Sequence, residues 1–199
     1  MENLQQSKLY EPMNKKKVEK LITELLTELG EDPNREGLKK TPQRVAKMLT
    51  ELTNGYTTTR KETINEALFT EKIQNMIVLQ DIELYSLCEH HLLPFFGKCH
   101  IGYIARDTII GVSKLARIVD RFSKRLQVQE RLTEEIAQEI QDVLNPHGVG
   151  VVIEAQHLCM MMRGVEKQNS VMVTSSILGA FREDPKTREE FMTIVNKIK

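Results

Sequence analysis

The stretch Leu87-Cys88-Glu89-His90-His91-Leu92-Leu93-Pro94 sets a thiol, a carboxylate and two imidazoles in consecutive positions of an otherwise apolar segment. Thiolates and imidazoles are the ligands Zn²⁺ prefers, and Cys88 and His91 have the two-residue gap of a chelating turn. A second supply of the same chemistry comes at His157-Leu158-Cys159. A lone Cys or His is more often packed core than ligand. Here three of the five histidines and two of the three cysteines fall in two short clusters, and that grouping favours a metal site.

Cys88, His91 and Cys159 make three protein ligands. Structural zinc closes with four, whereas catalytic zinc keeps one position for water or substrate. Cys99 stands either as a fourth ligand or as a small buried residue of a strand. With three ligands a bound water titrates near ~7. His90 and His157 would then remain beside the metal as acid–base groups.

Two further constellations bear on a ligand. At Gly111-Val112-Ser113-Lys114 a strand runs into a helix, whose free N–H groups, with Lys114 and Arg117, suit a phosphate. Arg163 adds to the same patch. The plainer reading is a capped helix with basic surface residues. Gln129-Glu130 lies in a break between two helices, and an ionised Glu, acceptor only, can read the edge of a guanine. A polar interhelical loop is the plainer reading there. Arg44 lies off the apolar stripe of its helix and reads as a solvated charge.

The elements that must position these groups follow from periodicity. Residues 1–13 have no period and read as an arm. Val18, Leu21, Ile22, Leu25 and Leu29 have helical spacing, stopped by Gly30. Thr41-Pro42 reads as a cap and first helical residue, with Val45, Met48, Leu49 and Leu52 as the stripe, ending at Asn54-Gly55. Residues 76–84 and 95–105 read as strands, with a short continuation over 108–112. Ser113 then caps a helix with the stripe Leu115, Ile118, Val119, Phe122 and Leu126. After an interruption at 127–131, Thr133 opens another helix, which ends at Asn145-Pro146-His147-Gly148. Alternation over 149–158 puts His157 and Cys159 on one strand face. A strand over 170–178 and a helix over 186–198, using Phe191, Ile194, Val195 and Ile198, complete the chain. The order ββααββ predicts an α+β fold, an antiparallel sheet covered by helices on one face. The division is an arm (1–13), an N-terminal helical region (14–55) and a catalytic domain (56–199).

Composition limits the functions. The chain has 199 residues, enough for one core with a terminal extension. Lys plus Arg equals Asp plus Glu at 28 each, so no global field recruits nucleic acid or an acidic membrane. Any anionic ligand must meet a local patch. The polar N-terminus lacks a signal-peptide core, and no run approaches the ~20 apolar residues of a span. Three cysteines without an export signal point to a reducing compartment, and the cytoplasm is expected.

Taken together, these stretches resemble GTP cyclohydrolase I of the zinc-dependent type. The matching text is CEHHLLPFFG at 88–97, KLARIVDRF at 114–122, LQVQERLT at 126–133 and HLCMMMRGV at 157–165, with TPQRV at 41–45 and TSSILGAF at 174–181. The resemblance implies opening of the imidazole ring of GTP, loss of C8 as formate and ribose rearrangement to 7,8-dihydroneopterin triphosphate. It makes Cys88, His91 and Cys159 the ligands of one Zn²⁺ per subunit. His90 would protonate the purine, His157 would serve later proton transfers, and Ser113 would meet the ribose. Glu130 with Gln129 would hold the guanine, while Lys114, Arg117, Arg163 and Arg44 would gather the triphosphate. It also implies the tunnelling fold, in a homodecamer of two pentamers with active sites shared between subunits. If zinc is lost, Cys88 and Cys159 are expected to pair as a disulfide. A structural zinc module would need a fourth ligand and a basic stripe. A nitrile reductase of the same fold would lack the CEHH cluster.

Overall fold

The computed structural model describes residues 10–196, so residues 1–9 of the expected arm and Ile198 of the expected closing helix lie outside the described residues. The first helix, α1 (Lys15–Glu28), starts at Asn14, whose side chain accepts the Lys17 N–H at 3.0 Å. It ends at Gly30, whose φ of +83° is a left-handed conformation that glycine adopts freely. α2 (Thr41–Leu52) begins at Thr41 itself, with Lys40 at the cap and no side-chain cap bond. Thr41 is therefore not the cap expected of it, although Pro42 does occupy the first turn. After a 3₁₀ turn at Asn54–Tyr56 comes α3 (Arg60–Ile64), held at its start by a reciprocal capping box between Thr59 and Glu62.

The remaining elements are β1 (Leu68–Thr70), β2 (Met76–Cys88), β3 (Pro94–Ile104), β4 (Thr108–Ile110), α4 (Val112–Ser123), β5 (Leu126–Gln127), α5 (Gln129–Leu144), β6 (Gly148–His157), α6 (Leu158–Met161), β7 (Met172–Gly179), α7 (Ala180–Glu183) and α8 (Pro185–Asn196). The main sheet has the order β5-β2-β3-β6-β7. β2, β3, β6 and β7 pair antiparallel, but β5 joins β2 in parallel, Leu87 opposite Leu126 and Cys88 opposite Gln127. The α+β sheet is thus mixed, and β4 and β5 interrupt the expected ββααββ succession. Nor does β4 continue β3. It pairs with β1 in a separate two-stranded sheet.

Alternation along the strands builds two apolar layers. Cys99, Ile101 and Tyr103 of β3 meet Leu115, Ile118 and Val119 of α4 and Leu132, Ile136 and Ile140 of α5, all buried. On the opposite face Val152 packs with Phe181, Phe191 and Val195 of α7 and α8. Gly102 and Gly150 make room there, since a Cβ on either would lie within 2.8 Å of the Phe191 ring. Helices therefore cover both faces of the sheet at this end, rather than one as expected. Each fully buried Phe contributes about 1.5–3 kcal/mol from its removal from water. Among the described residues no helix is long and apolar enough to cross a membrane.

Candidate active site

β2 delivers Cys88 to the end of the sheet, where it is buried beside β5. The chain then reverses tightly. The Cys88 carbonyl accepts the N–H of His91 at 3.3 Å and of Leu92 at 2.8 Å, and the Cys88 N–H donates to Leu93 O at 2.9 Å. Leu92 sits in the left-handed region at φ +57°, a conformation costing about 1–2 kcal/mol that this turn must hold in place. The reversal brings His91 Nδ1 to 4.0 Å from Cys88 Sγ.

β6 stops at His157, so Cys159 is presented by the helical turn α6 and not by the strand face expected for it. The ligand atoms of Cys88, His91 and Cys159 nevertheless all lie within 4.8 Å of one another. A tetrahedral ion ~2.3 Å from sulfur and ~2.0 Å from nitrogen needs its ligand atoms about 3.5–3.8 Å apart. A small contraction makes the group fit. Burial, with Cys88 alongside, pushes the Cys159 thiol up. A dication between the two sulfurs would reverse that by favouring both thiolates. Cys99 is fully buried in β3 opposite Ile82 and Ile153, and burial pushes its thiol up as well. It lies outside the group, which holds three ligands among the described residues, so an ion held there would keep a position for water or substrate.

Two imidazoles flank this group. His157 lies flat against Phe95, ring centroids 4.6 Å apart and planes 5° from parallel, and its Nε2 is 2.8 Å from Gln129 Oε1. Burial lowers its pKa, and the Glu130 carboxylate nearby opposes that shift. His90 is largely exposed, edge-on to His91, with Nε2 4.0 Å from Glu89 Oε1. Glu89 is clamped by Arg131, which holds its carboxyl below the usual carboxylate range. Arg131 Nε also donates to Gln127 Oε1 at 2.9 Å, so the ligand turn is strapped to β5 and α5.

The family model for GTP cyclohydrolase I matches residues 18–196. The chain belongs to that family. A GTP cyclohydrolase 1 of Leptospira biflexa is 60% identical over 178 residues, covering 89% of this chain and 97% of the relative. One of Pseudoalteromonas translucida is 57% identical over 171 residues (86% and 93%), and one of Methylococcus capsulatus 54% over 180 (90% and 97%). Among GTP cyclohydrolase I residues expected at the site, the fold brings together Cys88, His91 and Cys159, with Arg163 Nη1 3.2 Å from His91 Nε2. Ser113, Lys114 and Arg117 are gathered instead on the first turns of α4. Ser113 does not cap that helix, because Gly111 holds the cap position without a side-chain bond. Arg44 lines a cleft of its own with Glu36, Gly37, Lys39 and Lys40.

Gln129 departs most from expectation. Its side chain is buried and its amide is engaged by His157 and by β6 and β7, so both of its amide N–H groups are spent within the chain. The roles of Phe95 and Arg131 had no local signal, apart from the i,i+4 spacing of Gln127 and Arg131.

Proposed function

We infer that the chain hydrolyses GTP, opening the imidazole ring with loss of C8 as formate, to give 7,8-dihydroneopterin triphosphate. The observation that carries this reading is the three-ligand group Cys88, His91 and Cys159 in a chain of this family. Those residues hold one Zn²⁺ per subunit. When bound, the ion supplies Lewis acidity that activates a water for attack at C8. His90, exposed beside the ligand turn, gives its proton to the purine nitrogen as the ring opens. His157 carries the later protons of ribose opening, and Ser113 meets the ribose. The Glu130 carboxylate accepts the N–H edge of guanine, with Gln129 behind it rather than on the base. Lys114, Arg117, Arg163 and Arg44 bind the triphosphate, giving a net-neutral chain a local cationic patch.

The same reading gives the chain the tunnelling fold, in a homodecamer of two pentamers with active sites at subunit interfaces. Residues 14–55 form its helical appendage and residues 56–199 its catalytic domain. The test is formate release from GTP, with parallel measurement of bound metal. The protein as purified turns over, chelation stops it, and zinc restores it. Cys159→Ser is expected to lower both zinc content and turnover at least ~10-fold. A chelated, metal-free protein that still releases formate would overturn the reading.

A further inference from the structure

We propose that Gln129 is a positioning residue that locks the neutral His157 ring as its Nε2–H tautomer, so that His157 exchanges protons through Nδ1 alone. This deepens the reading above, which gives His157 its substrate protons, but the tautomer itself stands on geometry.

The orientation of the Gln129 amide is forced. Its Nε2 lies 3.0 Å from Ile153 O, 2.9 Å from Met172 O and 3.1 Å from Thr174 Oγ1. Backbone carbonyls only accept, so the atom facing them must be the NH₂ group. Turning the amide round would set oxygen against two carbonyls at a site where Gln129 is only 1% exposed. Oε1 therefore faces His157, and as an acceptor it requires an N–H there. His157 Nε2, 2.8 Å away, supplies it.

The neighbouring hydroxyls run in the same sense. Thr133 Oγ1 donates to the Gln129 carbonyl at 2.7 Å. The 2.7 Å contact between Thr133 and Thr174 is then donated by Thr174, whose oxygen is left to accept from the Gln129 amide. Phe95, stacked on the imidazole, fixes the plane of the ring, and within that plane the bond to Gln129 Oε1 selects the edge that carries Nε2.

A neutral imidazole has one N–H and one lone pair. With the N–H committed to Gln129, the lone pair is at Nδ1. A proton taken from substrate binds Nδ1, and the same Nδ1–H is given back. In between, the Nε2–H bond to the amide oxygen becomes charge-assisted and holds the imidazolium in place.

The direct test is neutron diffraction of the zinc-loaded assembly, exchanged into D₂O at alkaline pD so that the imidazole is neutral. A deuteron on Nε2 of His157 with none on Nδ1 is expected. A deuteron on Nδ1, alone or together with Nε2, would overturn the proposal. Activity is a separate arm. Gln129→Met keeps the length but offers no oxygen, and should cut kcat about 10- to 100-fold with KM for GTP and zinc content unchanged. An unchanged kcat would remove the positioning role. Loss of formate release in the wild-type protein would instead count against the proposed function, because the deuteron is read without turnover.

Discussion

Cys88, Cys99 and Cys159 carry the same side chain into three settings. Cys88 and Cys159 belong with His91 to a group whose ligand atoms all lie within 4.8 Å of one another, while Cys99 is sealed between Ile82 and Ile153. Removing the metal would leave two adjoining thiols, which oxidation is expected to join. We expect the chelated, air-oxidised protein to lose formate release and to show, once denatured, one titrating thiol per chain, that of Cys99. Reduction with added zinc should restore turnover. If Cys88 and Cys159 both still titrate after oxidation, the pairing is wrong and inactivation reflects metal loss alone.

Among the elements, α3, α4 and α5 are tied by charge as well as by apolar contact. Glu139 of α5 is buried and accepts Arg121 Nη1 at 2.8 Å and Arg60 Nε and Nη2 at 2.9 and 2.7 Å. Arg121 is itself buried, and its Nε donates to Thr58 O at 3.0 Å. Breaking a buried pair from one side strands the other charge and costs about 3–5 kcal/mol. Glu139→Gln should therefore lower the thermal midpoint by on the order of 10 °C. Metal content at low temperature should be kept, since Glu139 touches none of the ligands. An unchanged midpoint would mean that solvent already satisfies Arg121.

These helices also mark what was legible in the sequence. The α4 stripe Leu115, Ile118, Val119 and Phe122 is buried as its spacing predicts, and so are Val149, Val151, Ile153 and Ala155 of β6. The segment 127–131 read as a break because its structure is made by partners distant in sequence. Leu126–Gln127 become a strand only by pairing with β2. Gln129 opens α5 as a buried polar residue, and no local pattern distinguishes that from a surface loop. Thr133, expected at the start of this helix, sits inside it and bonds back to the Gln129 carbonyl. In the site, the residue types Cys, His and Cys were legible. The turn that folds His91 back on Cys88, and the helix that presents Cys159, were not.

Across the whole molecule, one chain leaves apolar surface uncovered. No residue of α1 is buried, and Leu21, Leu25 and Leu29 are 51%, 51% and 68% exposed, although their spacing is that of a packed face. Such a stripe is expected to be covered in an assembly, and Arg44 on the adjoining α2 would travel with it toward a neighbour's site. Mixing variants decides between the two subunits. In a shared site, Arg44→Ala damages the pocket of the next chain, whereas His90→Ala damages its own. Co-assembling the two inactive variants at random then rebuilds about a quarter of the sites, each pairing an intact His90 with a neighbour's intact Arg44. Formate release at GTP concentrations below KM should recover to about that fraction of wild type. If Arg44 serves its own chain, every site carries one defect or the other, and the mixture stays as inactive as its components.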